Sequence, residues 1–109
     1  MDKRQYPRIP IQGLSADISD GKGFFTGKVM DISRDGMSLD QISTTLDGDA
    51  DILSIIIVGH GTQFKLLVKQ KWEIKTPNTK IIGGQIENNP KGWSEFIMQM
   101  EPDRDDIWG

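Results

Sequence analysis

Residues 24–39 read Phe24-Phe25-Thr26-Gly27-Lys28-Val29-Met30-Asp31-Ile32-Ser33-Arg34-Asp35-Gly36-Met37-Ser38-Leu39, and this stretch decides the fold. Residues 24–32 are rich in aromatic and β-branched side chains, the composition of a strand. Asp35-Gly36 then signals a hairpin, because glycine takes positive φ at no steric cost. Residues 37–42 return as the next strand. The unit is strand, tight bend, strand, with Asp31, Ser33 and Gly36 gathered at the bend.

Outward from this unit the chain keeps the same style. Residues 9–13, beginning Ile9-Pro10 and ending at Gly13, read as a linker, and residues 14–18 as a first strand stopped by Ser19-Asp20-Gly21. A polar segment, 43–51, precedes the most apolar run, 52–58, in which Ile55, Ile56, Ile57 and Val58 mark a core strand. Gly59-His60-Gly61 turns the chain. Residues 63–74 form a long strand, with Phe64, Leu66 and Val68 alternating against Lys65, Leu67 and Lys69. Thr76-Pro77-Asn78 breaks it, and residues 80–86 pair back.

The period changes once, near the end. Asn89 suits an N-cap and Pro90 the first helical position. Trp93, Phe96, Ile97 and Met100 recur on one helical face before Pro102 stops the run. A helix over about 90–100 is too short to stand alone in water, so it must lie on the strands. The expected fold is all-β: a six-stranded antiparallel β-barrel of split-barrel type, with a C-terminal α-helix packed on it. Closure removes exposed strand edges. The expected division is a flexible arm at 1–13, the barrel with its helix at 14–101, and an acidic tail at 102–109.

At 109 residues the chain has room for one domain. Hydrophobic residues make up 36% and charged residues 27%, inside the globular range and outside the disordered one. No apolar run reaches the roughly 18 residues that span a bilayer, and no secretory signal opens the chain. The absence of cysteine rules out disulfides and thiolate metal sites. A soluble cytoplasmic protein is expected. The net charge of −3 weighs against a general nucleic-acid binder.

Two constellations carry chemistry. Arg4 and Arg8 form R-x-x-x-R in a stretch that Pro7 and Pro10 keep extended or looped. An even offset points both guanidinium groups to one side, roughly 13 Å apart at about 3.3 Å per residue. A guanidinium can grip phosphate, stack on a flat ring, or donate to guanine O6 and N7. On spacing alone they could equally be ordinary surface arginines. The second constellation is Asp31-x-Ser33-x-x-Gly36. Its carboxylate can accept from the N–H groups of a guanine edge and its hydroxyl can add a bond, while the glycine leaves room for a ring. An Asp/Ser turn that merely satisfies its own backbone is the competing reading.

In this order, and on an all-β body with a last helix, the two motifs resemble those of the PilZ domain family. Arg8 and Asp31 are separated by 22 residues, every motif position is filled, and Ile82-Gly83-Gly84-Gln85-Ile86 looks like the family's late strand. The resemblance covers residues 3–100. It implies a receptor for the second messenger cyclic di-GMP, without catalysis, cofactor or metal. Arg4 and Arg8 would clamp phosphates and guanine Hoogsteen edges, and Asp31, Ser33 and Gly36 would hold the other guanine. Lys3 would add a phosphate contact or favour a stacked ligand pair, and Gly84 would admit the ligand closely. Ordering of the arm would signal to a downstream protein, with no nucleic acid or membrane insertion involved and with the chain a monomer or homodimer.

The alternatives have less behind them. The main rival is a PilZ-like protein-interaction module that does not bind nucleotide, which the intact arginine motif disfavours. An oligonucleotide-binding barrel is disfavoured by the acidic balance and 7% aromatic content. His60, the single histidine, sits in a Gly-His-Gly turn, and no nucleophile elbow exists. Asp47-Gly48-Asp49-Ala50-Asp51 opens like a calcium loop, but Ile52 stands where glycine is needed and Val58 where the bidentate glutamate belongs.

Overall fold

The computed structural model describes residues 7–101. Seven strands and one helix follow in order: β1 (Ile9–Pro10), β2 (Ser15–Ser19), β3 (Phe24–Ile32), β4 (Gly36–Ser43), β5 (Ile52–Gly59), β6 (Thr62–Lys75), β7 (Thr79–Ile86) and α1 (Trp93–Met98). The pairings β2–β3, β3–β4, β4–β7, β7–β6, β6–β5 and β5–β2, all antiparallel, close a six-stranded barrel. This is the expected architecture, and each of the six expected strands matches an observed one to within a residue at either end.

The core follows from side-chain alternation. On β5, Leu53, Ile55 and Ile57 are buried while Ile52 and Val58 face out. On β6, Phe64, Leu66 and Val68 point inward while Leu67 faces out. Alternation alone does not hold along whole strands, however. Three register shifts break it, at Met30 in β3, at Asp40–Gln41 in β4 and at Lys71 in β6. An extra residue flips every side chain beyond it to the other face. Val29 and Ile32 therefore both point inward, although three positions apart, as do Leu39 and Ile42.

Two expectations are corrected. Residues 9–13 are not a free linker. Ile9 pairs with Ile32 and Pro10 with Asp31, Ile11 N–H donates to the Met30 carbonyl, and Ile9 and Ile11 pack against the core. The helix is also shorter than expected, six residues starting at Trp93. Pro90 is in the preceding turn, its carbonyl accepting from Trp93 N–H, and Gly92 at φ 86° makes the junction in place of Asn89. The anticipated apolar face does the docking. Trp93 and Ile97 are buried, and Trp93 meets the Phe64 ring edge-on at 5.2 Å with Phe96 alongside.

Candidate nucleotide-binding site

The bulge at Met30 has a direct consequence for Asp31. Without it, Asp31 would share the inward face of Phe25, Gly27 and Val29; with it, the carboxylate turns to the outside of the barrel. The strand register then sets a row across that outer face. Asp31 on β3 lies opposite Ser38 on β4, Ser38 opposite Gly83 on β7, and Gly83 opposite Trp72 on β6. At about 4.8 Å between neighbouring strands the row spans roughly 14 Å. The Lys71 bulge places Trp72 on this face, and a Cβ on Gly83 would land in the indole ring. The glycine is there because the ring lies flat over it.

Arg8 reaches the row from β1, which enters beside Asp31. Its Nη1 stands 3.8 Å from Asp31 Oδ1, an ionic contact longer than a hydrogen bond, with both side chains about a quarter exposed. Among the described residues two buried side-chain oxygens find no hydrogen-bond partner, Asp31 Oδ1 and Ser38 Oγ. They belong to cross-strand neighbours. Buried acceptors are nearly always satisfied, so a pair left open on one outer face marks a place prepared for donors.

Ser33 and Gly36 close the bend that carries the motif. Ser33 N–H donates to the Gly36 carbonyl at 2.8 Å, and Ser33 Oγ donates to Asp35 Oδ1 at 3.0 Å. The hydroxyl is thus already engaged in its own turn, as the competing reading allowed, although its residue also lines a cleft. Gly36 does not use positive φ; it is needed for close approach, since a Cβ would lie 3.1 Å from the Gly84 carbonyl. Arg34, in the same bend, forms a two-pronged ion pair with Glu101 at 2.6 and 2.8 Å, and its carbonyl accepts from Trp93 Nε1 at 3.2 Å. The bend is tied to the helix and to the chain leaving it.

A cleft of about 210 Å³ opens between bend and sheet, lined by Arg8, Ser33, Asp35, Gly36, Lys71, Trp72, Gly84 and Gln85. Pockets that enclose whole ligands usually hold about 300–1,000 Å³, so this one can seat a single ring with the rest of a ligand lying across the surface. Gly84 lines it with backbone, as its expected role requires. Its missing side chain has an inward cause as well, for a Cβ would crowd Val68 Cγ1 and the Lys69 carbonyl. Lys3 and Arg4 lie outside the described residues. Lys71 and Trp72 carry no signal in the sequence, and Ser38, Gly83 and Gln85 stand there only inside longer stretches, because only strand register and bulges bring them to this face. A larger groove of about 810 Å³ runs past Phe24, Asp17, Ile56, Lys65 and Thr79. Asp17 and Lys65 are its charged lining groups among the described residues, whereas the smaller cleft is lined by Arg8, Ser33 and Gly36 of the two motifs and lies beside Asp31, so the smaller cleft is the better candidate.

A closed antiparallel barrel of six strands, carrying a short final helix and an outer cleft at the β3–β4 bend, is the PilZ-like fold. Three solved structures share the fold. The Bacillus subtilis inhibitor of motility MotI/DgrA superposes with a TM-score of 0.73 at 17% identity over 91% of this chain. The PilZ domain of Escherichia coli YcgR with c-di-GMP gives 0.67 at 12% identity, covering 92% of this chain and 89% of that one. The Borreliella burgdorferi PlzA protein in complex with c-di-GMP gives 0.61 at 14% identity over 93% of this chain. The chain spans about half the length of MotI/DgrA, 49%, and 58% of PlzA. No protein-family model and no curated protein matches the sequence. Among the described residues no helix is long and apolar enough to cross a membrane.

Proposed function

We propose that this chain is a bacterial cytoplasmic receptor for cyclic di-GMP that performs no chemistry of its own. The observation that carries the reading is the open acceptor pair, Asp31 Oδ1 and Ser38 Oγ, facing outward with Arg8 beside it. A guanine presents N1–H and N2–H donors on one edge and acceptors on another. The carboxylate suits the first edge and a guanidinium suits the second or a phosphate. Ser33 and Gly36 shape the bend against which the ring sits, and Trp72 offers a flat apolar surface at the far end of the row. Two of the solved neighbours are complexes with c-di-GMP, which supports the choice of ligand.

Signalling follows from position. Arg8 precedes the first strand directly, so ligand capture by Arg8, and by Arg4 before it, would order the N-terminal arm over the outer face. Each arginine gains a phosphate or base partner only in that closed arrangement, which is what lets ligand shift the population. A downstream protein would read the ordered surface.

Isothermal titration with cyclic di-GMP tests the proposal, with GMP as the reference ligand. We expect saturable heat with cyclic di-GMP and a loss of affinity of more than tenfold in Arg8→Ala and in Asp31→Ala, each with an unchanged melting temperature. Heat no greater than that of GMP would favour the protein-interaction module. Melting of the barrel by either substitution would make that residue structural.

A further inference from the structure

We infer that Lys71 is a phosphate ligand of this cleft, brought to the outer face together with Trp72 by the bulge in β6. The inference rests on the nucleotide reading above and adds a residue to it. Gln70 pairs with Gly84 and Trp72 with Gly83, which leaves Lys71 as the unpaired extra residue. In a regular strand two successive side chains point to opposite faces; at a one-residue bulge they can share one. Here both Lys71 and Trp72 line the cleft that holds Arg8, Ser33 and Gly36. A cation beside a flat ring is what a nucleotide requires, because its phosphate lies beside its base.

The charges of the site say why such a cation is needed. Cyclic di-GMP carries two negative phosphates. Of the described cations around the bend, Arg34 is paired with Glu101, and Arg8, 3.8 Å from Asp31, can answer only one of the two phosphates. Elsewhere Lys22 is paired with Asp47, and Lys75 and Lys80 with Glu73. Lys71 is the cleft cation with no carboxylate against it among the described residues. The residue is exposed, so its ammonium can swing toward a phosphate at little cost in desolvation. Trp72 alone would give a site tolerant of any flat ring; the neighbouring ammonium makes the site prefer a phosphorylated one.

The test is titration of cyclic di-GMP into the wild-type chain and into Lys71→Met, Lys71→Arg and Lys71→Glu across a series of salt concentrations. We expect Lys71→Met to weaken binding about tenfold and to flatten the slope of log Kd against log salt, because one salt-screened charge pair with a phosphate is lost. Lys71→Arg should restore affinity to within about threefold, and Lys71→Glu should weaken it beyond Lys71→Met. Equal affinity and slope for wild type and Lys71→Met would overturn the inference. So would weaker binding at an unchanged slope, which would make Lys71 a packing residue. If the wild-type chain itself binds no cyclic di-GMP, the receptor reading fails first and takes this inference with it.

Discussion

At the scale of single residues, the nearly buried Asp20 shows how the turns away from the cleft are held. Its carboxylate accepts N–H groups from Lys22 and Gly23 at 2.8 Å within its own turn and from Asp47 at 2.9 Å in the loop between β4 and β5. The backbone donor at Asp47, followed by those at Lys22 and Gly23, holds this carboxyl below the usual carboxylate range. A depressed acid stabilises the fold fully above the unfolded-state value, near 3.9, and ceases to do so as pH falls through the folded-state value. We therefore expect Asp20→Asn to lower the melting temperature at pH 7, with its deficit against wild type narrowing as pH falls below about 4. A deficit constant with pH would show that the charge of Asp20 contributes nothing. The run that mimics a calcium loop helps to fasten the same turn. Asp47 pairs with Lys22 at 3.1 Å and accepts from Asp49 N–H, as an acidic turn does.

At the scale of elements, the bulges decide which residues become a site. The deletion of Met30 should leave Asp31 on the outer face and Ile32 in the core, because removing the unpaired residue makes Val29 and Asp31 ordinary strand neighbours opposite Leu39 and Ser38. The Met30 side chain is 40% exposed, so Met30→Ala should change stability by no more than about 0.5 kcal/mol and leave binding intact. The deletion should therefore keep the barrel and retain binding. Thermal melts and titrations of both variants check this, and loss of binding by a deletion variant that still folds would show that the local twist of the bulge, and not register alone, aims the carboxylate. The same feature explains what could be read from the sequence. Six strands and the final amphipathic face were legible, since alternating apolar residues and Gly, Asn or Asp turns are local signals. Asp31, Ser33, Gly36 and Arg8 were legible as a motif. The partners of that motif were not: Ser38, Gly83 and Trp72 join it through cross-strand register, which no local pattern encodes. The strand β1 is invisible in the sequence because two residues carry no periodicity. The helix start differs from expectation because Asn89 and Pro90 suit a cap, whereas the Pro90 carbonyl accepts from Trp93 N–H in a turn before the helix, Asn89 Oδ1 accepts from the Ser94 hydroxyl, and Gly92 makes the bend.

At the scale of the whole molecule, the chain divides the work of folding from that of binding at Ile9. From Ile9 onward the entering segment is built into the barrel. Ile9 and Pro10 pair with β3, Ile11 N–H donates to Met30, Leu14 is core, and His60, itself in a left-handed turn at φ 54°, bonds the Gln12 carbonyl at 2.6 Å. The one described contact of Arg8 with an acid is a part-exposed ion pair at 3.8 Å, a kind worth about 0–1 kcal/mol to folding. A chain beginning at Ile9 should thus keep its strand content and melt within a few degrees of the full chain. It should also bind no cyclic di-GMP, since it lacks Arg4 and Arg8 while retaining Asp31, Ser33 and Gly36. Circular dichroism melts and calorimetric titration of the two chains separate the possibilities. Retained affinity would show that the barrel face alone holds the ligand and that the arginine arm is no clamp. A collapsed melting temperature would show instead that residues before Ile9 contribute to the fold, and the division at Ile9 would be wrong.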